Sequence, residues 1–445
     1  DNDFVASVEG EAAYQIKRLR HGASLALWCG NNEIWAINVH DLVKPEFAAY
    51  RAAYDRVFHE ALPPVVAKHD GATPYWPASP WRGDIAADHA AGELRGDTHY
   101  WDVWHARHPV KDYEKWNFRF VSEFGMQSYS SPATNATFCP PDDDNVFGPV
   151  MENHQKNRSG NQIILDYVSR RYRFPKGQDE LIYLSQLNQA YCMQMGVEHY
   201  RRLMPRCMGA LYWQLNDCWP VASWSSIEFT GRWKALQYLA RRFFAPALGC
   251  AHVPGDEGAM IGNYRTSNVG EVHLYTCYDA PAPPAGLLRW DVFHLDGRCL
   301  QQGRKRVALR PQESVKHEAV ALDALLEKYG RDSLYLRIAL EIDGARVSED
   351  TVFLTPPRFL ALPKPKKTGV TLKLTSPKTA TLTFKSAVFQ HRFAFDFEGM
   401  SFRADDNFFE LYPGEIKRVD VSFDDKVTAA RLKKTLAHRS LAPTY

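Results

Sequence analysis

Apolar and polar positions along this chain follow two different periods, and the change falls near residue 250. Before it, Val8, Ala12, Ile16 and Leu19 recur at helical spacing, which predicts an amphipathic helix over the first ~20 residues. The apolar run Leu25 to Trp28 then breaks off into Gly30, Asn31, Asn32 and Glu33, the profile of a buried strand with a polar tip. Phe47, Tyr50, Tyr54 and Phe58 predict a helix over Pro45 to Leu62, with a short strand expected at Val65 to Ala67. A Trp- and Pro-rich loop runs from Thr73 to Asp97. Strands are expected at His99 to Val103 and at Arg119 to Ser122, the second running into Glu123. Leu184, Leu187, Tyr191 and Met195 stripe a helix over Glu180 to Leu203; a strand at Met208 to Leu215 and a helix over Trp233 to Phe244 follow. Strand and helix in alternation imply a parallel (β/α) barrel. About five such strands can be counted, and a closed barrel needs eight.

Beyond residue 250 the period becomes two. The runs His273 to Cys277, Leu288 to Phe293 and Ser333 to Ala339 alternate between turn signals, which predicts a β-sandwich between Ala259 and Leu354. A Pro/Lys linker, Leu362 to Thr368, leads to Val370 to Leu374 and Thr379 to Phe384, the start of a second, smaller sandwich expected to end near Phe423. The expected architecture is multidomain: residues 1–247 as the C-terminal part of an α/β (β/α)8 TIM barrel, then two all-β immunoglobulin-like sandwiches at 248–360 and 361–445.

Composition narrows the function. With 445 residues, 45% of them hydrophobic, the chain has enough apolar material for a large core. Its net charge is +2 and its basic residues are dispersed, so nucleic acid is not an expected partner. No apolar run approaches the length of a membrane span, and no signal peptide is recognisable; the compartment is unknown, with periplasmic, secreted bacterial or lysosomal settings as the candidates. Eight cysteines show neither CxxC nor Cys/His ligand spacing, so they are read as mostly free and buried. Asp142 to Asp144 lacks the spaced ligands of a calcium loop and is read as a solvated turn. Neither metal nor organic cofactor is expected.

Glu33 and Glu123, both at strand ends on one barrel face, would make the carboxylate pair that glycoside hydrolysis uses. Around them, the segments Leu25–Glu33, Pro74–Pro80, Gly96–Trp101, Val121–Gly125, Gly209–Trp219 and Phe408–Glu415 occur in an order that resembles the β-mannosidases of glycoside hydrolase family 2. The resemblance implies a retaining exo-acting enzyme on β-mannoside oligosaccharides, with Glu33 as general acid/base and Glu123 as nucleophile. It places Asn32 on the sugar 2-hydroxyl and Trp213 at the pocket floor, with Trp219 and Trp224 as wall or packing residues. In family terms the first motif sits on strand four, so strands one to three are expected from an upstream region of the same enzyme. Alternation lets at most two of His99, Tyr100 and Trp101 face the pocket, and His99 and Trp101 are favoured; Asp102 and His105 are weaker candidates. Tyr75, Trp76 and Trp81 suit an aglycone wall and loop packing equally, and Asn31 is read as structural. Other sugars of the same family (galactose, glucuronic acid, glucosamine) and a non-catalytic sugar-binding fragment stay open as alternatives.

Overall fold

A computed structural model describes residues 1–83, 89–255, 260–261, 264–265, 269–282, 284–365 and 367–445. Residues 84–88 of the aromatic loop, Ala259 at the expected start of the first sandwich and Lys366 of the linker lie outside the described residues. The chain divides into two compact units, one of residues 1–101, 114–124 and 206–211, the other of 102–113, 125–205 and 212–445.

The first unit opens with a helix over Asn2–Leu19, whose first turn is capped by the Asp1 carboxylate accepting from the Asp3 amide. Strand β1 (Trp28–Cys29) pairs in parallel with β2 (Tyr75–Trp76), aligning Trp28 with Tyr75. Asn32 continues this pairing as a bridge to Ser79. Strand β3 (Thr98–His99) pairs in parallel with β4 (Val121–Glu123), and Val121 bridges Ala210 on the far side. The strands are shorter than the apolar runs suggested. The register shifts between Thr98 and His99, so regular pairing stops there rather than reaching Val103.

The expected strand at Val65 to Ala67 is instead part of a helix, Leu62–His69. It follows without a break on a helix over Ala48–Asp55 and a wider π-helical turn over Arg56–Ala61, so Pro63 and Pro64 lie inside one continuous helical run, just after a turn where the regular i→i−4 ladder is already interrupted. Val66 is buried on its inner face. The sequence pattern also passed over a helix at Ile34–Leu42. Its start carries no capping side chain at Glu33; the Asn31 carboxamide oxygen accepts from the Ile34 amide instead. Trp35, 2% exposed, anchors this helix against Tyr54 and Trp81.

In the second unit a long helix, Gln178–Arg202, is buried on almost every side, which is why its apolar stripe extends well beyond the four residues that marked it. No regular strand forms over 212–215; Trp213 makes a single parallel bridge to Gly125. The first sandwich has one sheet ordered Cys299–Ala308, Ala285–His294, Leu334–Ile342, Ala345–Phe353 and another ordered Glu313–Ala321, Glu271–Tyr278, Ala247–His252. Leu274, Leu288, Val292, Leu336 and Ile338 are fully buried between them. The second sandwich is built around Leu382, Phe384, Phe393, Phe397 and Val419. It does not stop at Phe423: after a helix at Ala429–Thr435, the strand Leu436–Arg439 turns back and pairs with Gln390–Phe397. Arg242, on the helix Ala235–Phe243, reaches Asp406 and the carbonyls of Asn407 and Phe408, so this sandwich is tied to a helix as well as packed by its own core. All eight cysteines are free thiols and most are buried, as their spacing suggested; Cys29, Cys218 and Cys299 are the exposed ones. Among the described residues no helix is long and apolar enough to cross a membrane.

Candidate active site

The first unit delivers its chemistry at the ends of its parallel strands. Gly30 leaves β1 against the Tyr75 hydroxyl and the Pro77 carbonyl, where a Cβ would stand 2.3 and 2.6 Å from those oxygens; only glycine fits the approach. The Asn31 amide nitrogen donates to Pro77 O at 2.7 Å, so Asn31 is a structural residue. Glu33 follows with its own N–H donated to Ser79 O at 2.8 Å and its backbone in the left-handed region, φ 63°. That conformation is costly for a residue with a Cβ, and the Glu33 side chain makes no capping bond to the following helix.

On the neighbouring pair, Gly96 adopts φ 73°, and a Cβ there would lie 2.1 Å from Trp81 O. This turn places Asp97 and then His99 on successive same-side positions. Tyr100 points the other way, 1% exposed and packed on His89 and Phe118. His99 and Trp101 both reach the glutamates, while Tyr100 does not.

His99 Nδ1 stands 2.7 Å from Glu33 Oε1 and 3.5 Å from Glu123 Oε2. Its side chain is 5% exposed, against 27% for Glu33 and 13% for Glu123. Trp101 Nε1 donates to the same Glu123 oxygen at 3.2 Å. One donor atom from each of Glu33, His99 and Glu123 lies within 4.8 Å of the other two, the kind of nitrogen-and-oxygen set that a divalent cation can use. However, ligand atoms around a tetrahedral zinc ion sit about 3.3 Å apart, as follows from its bond lengths. The 2.7 Å contact between His99 and Glu33 is a hydrogen bond, closed by a proton between the two atoms.

Burial is the main reason the Glu123 carboxyl titrates above the usual carboxylate range; the Glu33 and Asp97 charges push the same way, while His99 and the Trp101 N–H oppose them. Such a carboxylate is poorly solvated when ionised and correspondingly reactive.

Asn32 lies beside this cluster, its backbone bridged to Ser79 and its side chain exposed. Trp213 and Trp219 belong to the second unit, 41% and 49% exposed. The Lys156 ammonium lies 5.2 Å above the Trp219 ring, and Trp224 packs edge-on to Trp104. The Tyr75 hydroxyl donates to Phe58 O, and Trp81 packs on Trp35 and His59, so both serve local packing. Ser79, Asp97 and Ser122 were not marked by the sequence pattern. Asp97 had a usable signal: it precedes a strand-end histidine by two positions, hence on the same face.

Two family models match the sandwiches: the mannosidase Ig/CBM-like domain over residues 270–358 and the mannosidase Ig-fold domain over 362–444. The β-mannosidase of Bos taurus is 32% identical over 302 residues, covering 59% of this chain and 33% of that protein. The β-mannosidase B of Aspergillus niger is 27% identical over 471 residues, covering 99% of this chain and 52% of that protein. The crystal structure of a β-D-mannosidase from Dictyoglomus thermophilum superposes with a TM-score of 0.81 at 26% identity, over 99% of this chain and 51% of that one. The chain is thus a homologue of β-mannosidases that spans between a third and about half of their length.

Proposed function

We propose that this homologue of β-mannosidases is the C-terminal part, strands four to eight, of a (β/α)8 barrel (residues 1–247), followed by immunoglobulin-like sandwiches at 248–360 and 361–445. It would act in a retaining exo-β-mannosidase of glycoside hydrolase family 2, releasing terminal non-reducing β-D-mannose from oligosaccharides by double displacement. Barrel strands one to three would come from the part of the relatives that this chain does not match.

The convergence of Glu33 and Glu123 on one face of His99 carries this reading. Retaining enzymes hold their carboxyl groups roughly 5–5.5 Å apart and inverting enzymes 6.5–9.5 Å apart. One oxygen of Glu33 and one of Glu123 lie within 4.8 Å of each other, which is compatible with the retaining separation. In the first step, a Glu123 oxygen attacks the anomeric carbon, the glycosidic C–O bond breaks, and the leaving oxygen takes the Glu33 proton. In the second, water attacks that carbon, gives its proton to Glu33, and Glu123 departs. Asn32 is assigned to the sugar 2-hydroxyl, Trp213 to the floor beneath the apolar sugar face and Trp219 to the wall.

The test is intact-mass analysis of the full natural polypeptide after incubation with 2-deoxy-2-fluoro-β-mannosyl fluoride. One added fluorosugar, mapped to the peptide holding Glu123, is expected. Absence of an adduct would reject the mannosidase reading, and tight mannose binding without turnover would favour a non-catalytic sugar-binding role.

Trp101 gives a second expectation. Its N–H stabilises ionised Glu123, so Trp101→Phe leaves the carboxylate harder to ionise. Because the nucleophile must be charged, the acidic limb of kcat/KM against pH moves to higher pH. An unmoved limb would detach Trp101 from the nucleophile.

A further inference from the structure

The hydrogens around His99 can be counted. Asp97 is 5% exposed, and three donors converge on its carboxylate: the Trp81 N–H at 2.6 Å, the Ser122 hydroxyl at 2.6 Å and the Ser79 hydroxyl at 2.7 Å. A carboxyl receiving three donors is an ionised acceptor. Ser79 has one hydroxyl hydrogen, and it is spent on Asp97. Ser79 Oγ must therefore accept at its other contact, His99 Nε2 at 3.0 Å, so Nε2 carries a hydrogen. The opposite ring nitrogen, Nδ1, faces Glu33 Oε1 at 2.7 Å. Two acceptor atoms cannot rest at that distance without a hydrogen between them, and there is room for one only. The pair is either imidazolium with carboxylate or imidazole with carboxylic acid, and in both forms it holds one transferable proton.

We propose that Ser79 and Asp97 are positioning residues for the acid/base step: by fixing the hydrogen on His99 Nε2, they keep a single proton between His99 Nδ1 and Glu33, ready for the leaving oxygen. The inference rests on the assignment of Glu33 as acid/base and deepens it. During glycosylation the proton leaves Glu33 for the aglycone oxygen as the C–O bond breaks; during deglycosylation the attacking water returns one. His99 takes no net proton over the cycle. Asp97 favours retention of the proton because its negative charge stands behind the Ser79 hydroxyl. Among the described residues, the charged and titratable groups that face this chain include Glu123, on the same side of His99; Arg82, which donates to Asp97 O at 3.1 Å and to Thr98 Oγ1 at 2.9 Å; and the Cys29 thiol, which feels the Asp97 charge.

The experiment compares Ser79→Ala with the parent in the full natural polypeptide on two substrates, phenyl and 2,4-dinitrophenyl β-mannoside. The dinitrophenolate leaves without protonation; the phenolate does not. The loss of a group that orients a catalytic side chain typically costs about 10–100-fold. A loss of that size is expected in kcat/KM on the phenyl substrate, with little change on the dinitrophenyl one. The alkaline limb of the phenyl profile should move to lower pH, and Ser79→Thr should restore both. Equal losses on the two substrates, or an unmoved alkaline limb, would overturn the proposal. Ser79→Cys, which keeps the bulk but replaces the hydroxyl with a thiol that is a weaker donor and acceptor, must show the same selectivity and serves if the alanine variant does not fold. Glu33→Ala is run alongside. If it shows no leaving-group selectivity, the acid/base assignment fails and takes this proposal with it. If it does and Ser79→Ala does not, only the role of Ser79 and Asp97 is lost.

Discussion

Replacing Glu123 with alanine should abolish turnover, lowering kcat by at least about 10⁴-fold, which is about 5.5 kcal/mol of barrier. Among the described residues, the carboxylate beside Glu123 is that of Glu33, which on the proposed mechanism is committed to proton transfer, and an alanine leaves nothing to form the covalent intermediate. Steady-state assay on an activated aryl β-mannoside reads the effect, and full activity in the variant would end the assignment. The isosteric Glu123→Gln separates lost chemistry from lost folding. Burial raises the folded carboxyl above its unfolded value, so the protonated form favours the fold. That contribution is present below the unfolded value of about 4.3 and is lost as pH rises through the higher folded value. A glutamine never ionises. Near neutral pH the variant should therefore melt above its parent, and at acid pH the two should converge.

Glu33→Ala is expected to fail differently. A misplaced or missing general acid/base costs about 10²–10⁴-fold, and the full loss should appear on poor leaving groups. With a 2,4-dinitrophenyl substrate the first step needs no acid, so the glycosyl-enzyme forms and then stalls for want of a base. Azide needs no deprotonation and can enter the space the carboxylate vacated; its addition should restore turnover and release β-mannosyl azide. Rates unchanged by azide, or an α-configured product, would rule out Glu33 as the acid/base of a retaining enzyme.

Much of this was legible in the residues, and the misses have physical causes. The glutamates stood out because an apolar run rarely ends in Asn-Asn-Glu without reason, although the strand there is only Trp28–Cys29, none of Leu25 to Trp28 is fully buried, and Glu33 stands at the start of a helix; His99 and Trp101 reach the glutamates while Tyr100 packs elsewhere. The helix at Ile34–Leu42 was hidden because its cap comes from Asn31, two positions before the usual one, while Glu33 itself contributes no capping side-chain bond. Val65 to Ala67 looked like a strand because β-branched residues follow two prolines; the π-helical turn at Arg56–Ala61, which lets the helical run pass through those prolines, has no signature in local spacing. Ser79 and Asp97 are linked to each other and to His99 across about twenty positions of sequence, a relation that no local spacing encodes. The return of Leu436–Arg439 to the second sandwich depends on long-range pairing and was equally invisible.

Glu33 sits in a left-handed backbone conformation that disfavours any residue with a Cβ by roughly 1–2 kcal/mol. Glycine would relax that backbone, and it would also remove a partly buried carboxylate. At this position the substitution that most improves folding is therefore one that silences the chemistry. On the proposed acid/base role, selection for turnover is what keeps a glutamate there. In a duplicated copy freed from that selection, drift would run downhill in free energy toward a stable, catalytically dead relic.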